Sequence, residues 1–315
     1  MLMIICGHLI QMHSYDELFD ESWYIGYAIY PFCVVAVDVF VLISGWFGIK
    51  LYYKKLLGIN WMVTFYAVII LLFSLALGYK ALNLRTDWMP FIPIITKQYW
   101  FITVYIVLCL ISPFLNKLVE ILDKRTFQKL LLILFVLFSL LPSAAFVFNF
   151  KSVTEDAGYG IVNFMFLYLL GRYLRLHYKA DKSKYIFLLG FVSSMALLAI
   201  FQMVYSHLLG FHFDALLSND TTFVHVGSVC LLLYFSKLDF TYKWINMLAA
   251  PCLAVYVIHF NPLFFTTIFN NTLHVPEQKG MMYVLYLLIV PVIIYITCAV
   301  VETIRKQLFK LIHIE

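Results

Sequence analysis

A succession of apolar runs, most of them long enough to cross a lipid bilayer, leaves this 315-residue chain little choice of fold. They lie at about residues 25–47, 57–77, 100–118, 130–148, 161–174, 185–205, 222–235, 245–269 and 281–301, behind a shorter first run at 1–12. A helix spanning the hydrocarbon core needs about 20 apolar residues. The first run reaches only about 18 Å as a helix and is expected to be a truncated span. Hydrophobic residues make up 63% of the chain and charged ones 12%, far from soluble base rates. The expected fold is an all-α polytopic membrane protein of about ten transmembrane helices, forming a single domain over residues 1–315.

The basic residues set the orientation. With the N-terminus in the cytoplasm, only Lys80, Arg85, Lys97, Lys151 and Lys279 of the 22 Lys and Arg fall in outside loops. That asymmetry follows the positive-inside rule and predicts ten crossings with both termini cytoplasmic. It would collapse if the short run 161–174 did not cross. The formal net charge of +5 is thereby accounted for by topology, and no nucleic-acid partner is implied. Six single cysteines inside apolar runs, without a CxxC or a histidine cluster, indicate neither a disulfide framework nor a metal site. The longest outside loop, from Tyr79 to Tyr99, carries Trp88, Pro90 and Pro93, and its length predicts a packed or functional segment.

Ionisable residues within the apolar runs are few: His8, Asp38, His225, His259 and, near a run's end, Glu302. An aspartate at mid-span costs about 2.5–3.5 kcal/mol on insertion scales, so it is expected to face the bundle interior with a partner. His8 and Asp38 are the natural pair to test. A structural reading stands beside the functional one for each: a carbonyl-bonded histidine, and an interhelical hydrogen bond from Asp38. His259, beside the Pro-containing exit of its run, reads as structural or interfacial, and His225 as structural. Lys50, Lys54 and Lys55 follow the second run. They are either an ordinary positive-inside flank or an anion site for a phosphorylated cytosolic ligand.

The combination GHLIQM, VDVFVLISGWFGIK, LYYKKLL, YWFITVYIVLCLISPFLN and APCLAVYVIHFNP resembles the integral-membrane acyltransferase-3 family, which acylates cell-surface glycans. The likeness covers nearly the whole chain. It is carried by the GH of the first run, by Asp38, Phe40, Ser44 and Gly45 as a D-x-F-x-x-x-S-G block, and by Tyr105, Leu110, Ser112 and Pro113. The resemblance implies that His8 is the catalytic histidine and that Lys50, Lys54 and Lys55 occupy the acyl-CoA-binding region. Two departures stand out: the family's arginine eleven residues before the histidine would precede Met1, and its R-x-x-R spacing is filled here by Lys55 and Gly58.

The reaction expected on this basis is transfer of an acetyl group from cytosolic acetyl-CoA, as donor substrate, to a hydroxyl of a cell-surface or lipid-linked glycan. The setting implied is a bacterial cytoplasmic membrane. His8 would act as general base or as acyl relay, with Asp38 orienting it or stabilising its charged form. The competing expectation is a transporter or flippase of a lipid-linked saccharide with His8 and Asp38 in a polar pathway, although the repeats common in transporters are not visible.

Overall fold

The computed structural model of the chain describes residues 1–13, 19–178, 182–212, 214–266, 274 and 277–311. Its regular elements are α1 (Leu2–Met12), α2 (Glu21–Phe47), α3 (Tyr53–Ala76), α4 (Trp100–Ile121), α5 (Lys124–Phe135), α6 (Leu141–Phe148), α7 (Ile161–His177), α8 (Lys184–Leu209), α9 (Thr222–Phe235), α10 (Lys243–Ala249), α11 (Cys252–His259), α12 (Pro262–Thr266) and α13 (Gly280–Leu311). No strand occurs among the described residues. The protein is an all-α polytopic membrane protein.

Seven segments of the described residues are long and apolar enough to cross a membrane: α2, α3, α4, α5 continued through α6, α8, α13, and Ala215–Phe235, which ends in α9. Three of the expected ten runs take shorter forms. Helix α1 has 11 residues, α7 has 17 with Arg172 and Arg175 near its end, and the run at 245–269 is not one helix. It breaks at Pro251 and again after His259, and the last part of that range lies outside the described residues. Proline explains both breaks. It lacks an N–H and its ring clashes with the preceding turn, so Pro251 starts α11 and Pro262 starts α12. Between α5 and α6 the helix continues through a π-turn at Val136–Leu140, which rotates Ser139 into the buried interior.

Helix ends follow local chemistry. Asp20 caps α2 by accepting from the Trp23 N–H at 2.7 Å. Asp123 caps α5, accepting from the backbone N–H groups of Arg125 and Thr126. Hydrogen bonds from the Thr126 side chain and backbone hold its carboxyl below the usual carboxylate range, so this cap is charged at neutral pH.

Contacts sort the chain into two compact units, each discontinuous in sequence. The first comprises Met1–Asp16, Tyr52–Thr103 and Phe240–Glu315; the second comprises Glu17–Leu51 and Val104–Asp239. In the first, α13 backs both α1 and α11, and α11 also packs on α3. In the second, α2 is surrounded by α7, α8 and α9.

The α2–α7 contact depends on two glycines. A Cβ at Gly45 would lie 2.3 Å from the Tyr168 carbonyl oxygen, and one at Gly171 would lie 2.4 Å from that of Leu42. Neither atom can move away without moving a helix. Small residues permitting close backbone approach are what hold helices together where lipid removes the hydrophobic drive. Gly171→Val is therefore expected to destabilise the protein by about 1–3 kcal/mol through forced separation of α2 and α7. Thermal unfolding in detergent should show a lower midpoint, and an unchanged midpoint would contradict the contact.

Candidate functional site

His8 sits on α1 in the first unit, in a box of aromatic rings. Its imidazole stacks on Phe260 at a centroid distance of 4.6 Å and meets the edge of Phe265 at 5.6 Å. Its Nδ1 lies 3.1 Å from Nε2 of His259, and Nδ1 of His259 lies 2.6 Å from the Val255 carbonyl oxygen. A carbonyl can only accept, so His259 carries its proton on Nδ1. Nε2 of a neutral His259 is then an acceptor, and the 3.1 Å contact requires His8 to donate from Nδ1. The proton of a neutral His8 is thus committed, and its Nε2 carries a lone pair.

The local fold explains why His259 is rigid. It is the last residue of α11 and fully buried. Immediately after it the chain turns, and the buried Asn261 accepts from the Leu263 N–H at 3.1 Å and donates to the Tyr99 hydroxyl at 2.8 Å. Asn261 caps α12 while Pro262 occupies its first position. Sequence alone gives His259 a structural or interfacial role, because its partner His8 is 251 residues away.

Asp38 lies in the second unit, 0% exposed, about 25 Å along α2 from its start. Its nearest basic group is His225, with Nε2 3.7 Å from Oδ2. His225 is itself fully engaged. Asn163 spends both amide protons on the carbonyls of Gly158 and Asn219, so its Oδ1, 2.9 Å from His225 Nε2, must accept. His225 then accepts at Nδ1 from the Ser139 hydroxyl at 2.8 Å. Neither carboxyl oxygen of Asp38 has a hydrogen-bond partner, and the same holds for the buried Asp220.

The lysines fall in different places. Lys50 is exposed on the second unit after α2, whereas Lys54 and Lys55 are exposed in the first turn of α3 in the first unit. Lys55 lines a cavity of about 640 Å³ with Gly58, Ile59 and Met62 of α3, Ala250, Leu253 and Ala254, and Glu302, Arg305 and Lys306 of α13. Glu302, noted in sequence only as an acid near a run's end, accepts from the Tyr66 hydroxyl at 2.6 Å and from Arg305 at 2.9 and 3.1 Å. Among the described residues no group of three or more His, Cys, Asp or Glu could hold a metal ion.

A family model for the acyltransferase-3 family, an acyltransferase domain, matches residues 1–302. The chain belongs to the acyltransferase-3 family. It is accordingly a membrane acyltransferase, and the transporter expectation gives way. No curated protein and no solved structure matches the chain. Within this acyltransferase-3 chain, the described histidines with fixed tautomers differ in kind. His225 uses both ring nitrogens in hydrogen bonds, while the His259 contact fixes one nitrogen of His8 and leaves a lone pair on the other.

The two orphaned oxygens of Asp38 and the committed amide of Asn163 respond oppositely to isosteric change. Asp38→Asn removes an unpaired carboxyl from a buried site and is expected to leave the unfolding midpoint unchanged or higher. Asn163→Asp replaces two donated hydrogen bonds with repulsion toward carbonyls and should cost about 1–3 kcal/mol. Thermal unfolding of the two variants side by side checks this, and a lower midpoint for Asp38→Asn would reveal a bonded carboxyl.

Proposed function

We propose that the protein transfers an acetyl group from acetyl-CoA to a hydroxyl of a cell-surface or lipid-linked glycan in a bacterial cytoplasmic membrane, with His8 as the general base. The observation that carries this reading is the Val255–His259–His8 chain, which leaves His8 with an unprotonated Nε2. In the reaction, Nε2 takes the proton of the acceptor hydroxyl as its oxygen bonds to the thioester carbonyl carbon. The C–S bond then breaks, and the departing thiolate of CoA receives the proton from the imidazolium.

His259 serves His8 as orienting group in the first unit, in the way a hydrogen-bond acceptor behind a catalytic imidazole fixes its tautomer. Its own Nδ1–H remains on a carbonyl, so a proton gained by His8 is shared through one hydrogen bond and is not passed on. Phe260 stacks on one face of the His8 ring and Phe265 meets its edge, contacts that narrow the approach of water and favour transfer to a sugar hydroxyl over hydrolysis of the thioester. Lys54 and Lys55 are assigned to the phosphates of CoA, toward which lysine acts as a point charge. Asp38 is retained as a second ionisable group needed for activity, held in the second unit beside His225.

A general base contributes typically 10²–10⁴-fold. His8→Ala is expected to lower acetyl transfer at least a hundredfold, and His259→Ala by a smaller factor through loss of orientation, with membrane insertion preserved in both. The measurement is release of free thiol from acetyl-CoA together with a 42 Da increment on surface glycans by mass spectrometry. Full activity of His8→Ala would overturn the assignment.

A further inference from the structure

The cavity beneath Lys55 has a second wall that the sequence reading treated only as a topological flank. Its volume of about 640 Å³ is in the range of small-molecule sites. The lining includes three cations, Lys55, Arg305 and Lys306, and one carboxylate, Glu302. Glu302 is consumed by Tyr66 and by the two hydrogen bonds from Arg305. Arg305 in turn is buried, at 6% exposure, and its guanidinium lies over the rings of Phe65 and Phe309. Those two charges cancel and are locked together.

What remains is a pair of lysines. The Lys306 side chain is half-exposed and shares Glu302 in a longer ion pair, its Nζ 3.4 Å from Oε1, while Lys55 is exposed at the start of α3. The lining therefore carries a net charge of two positive units, matching a diphosphate. A lysine that only sets topology points to headgroups; these two line a common open cavity. Gly58, almost one turn beyond Lys55, also lines the cavity, and nothing lies within 4 Å of the place its Cβ would take. The wall at that position is open to a ligand.

We propose that Lys306 of α13 is a phosphate-binding residue of the acyl-donor site, acting with Lys55 of α3 on the diphosphate of CoA. The Glu302–Arg305–Tyr66 network positions it, because it pins the turn of α13 that carries Lys306 against α3. This assignment rests on the reading that the donor is an acyl-CoA. It divides the donor site between two helices of the first unit, whereas the R-x-x-R spacing would have kept it on one.

The test is CoA binding by titration calorimetry to the full chain in phosphatidylcholine nanodiscs, where no anionic headgroup competes. A charge-assisted contact corresponds to about a tenfold or greater change in affinity. Lys306→Ala should weaken CoA by that factor, Lys306→Arg should restore most of it, and Lys310→Ala, which does not line the cavity, should change nothing. Equal CoA affinity in wild type and Lys306→Ala overturns the role of Lys306 while leaving the acyl-CoA reading intact. Absence of CoA binding to the wild-type chain overturns that reading and the proposal with it. Should Lys306→Ala not yield folded protein, Gly58→Arg places a cation in the open wall: tighter CoA binding supports the site, and unchanged or weaker binding overturns it.

Discussion

A polar group inside a bilayer has no water to fall back on, so its hydrogen bonds must come from elsewhere in the chain. In the first unit this requirement is met by a three-member series, Val255 carbonyl, His259 and His8. The series sits where α11 ends: His259 is its last residue, and its ring bonds the Val255 carbonyl one turn back while Asn261 caps the start of α12. The double break around Pro251 and Pro262 places a histidine at a helix end, buried, with its far nitrogen directed at α1.

The same requirement is met differently in the second unit. Asn163 is committed by its two carbonyl partners, which fixes His225, which fixes Ser139. Both ring nitrogens of His225 are used. A histidine with both nitrogens hydrogen-bonded is held as a structural element, whereas one with a single committed nitrogen retains basicity in a defined direction. Position in an apolar run does not distinguish them. The identity of the neighbouring partners does, because a partner that can only accept or only donate forces a tautomer.

The fold class was legible because hydropathy and helix length are properties of contiguous sequence, and the positive-inside count needs no three-dimensional information. The run at 245–269 failed as a single helix for a local reason. Hydropathy averaging carries a window straight across Pro251 and Asn261–Pro262, although the prolines themselves mark the breaks. His8 and Asp38 stood out as costly residues in apolar runs, but the partners His259 and His225 could not be paired with them from sequence, since helix packing is not encoded in spacing. Lys306 was hidden for another reason. A basic residue after a span always satisfies the topology rule, so the rule absorbs it whether it faces headgroups or a cavity.

The buried Glu302–Arg305 pair shows why charge counting along a helix is a poor guide to the field in a cavity. An ion pair that deep is not a strong source of stability, because desolvation offsets most of the Coulomb attraction. Its value lies in geometry: two hydrogen bonds from one guanidinium, a third from Tyr66, and aromatic faces of Phe65 and Phe309 around the cation leave that turn of α13 a single arrangement. Removing either charge would alter the net charge of the cavity lining. Keeping both neutralises the wall without emptying it. The net positive charge of the lining then resides on Lys55 and Lys306.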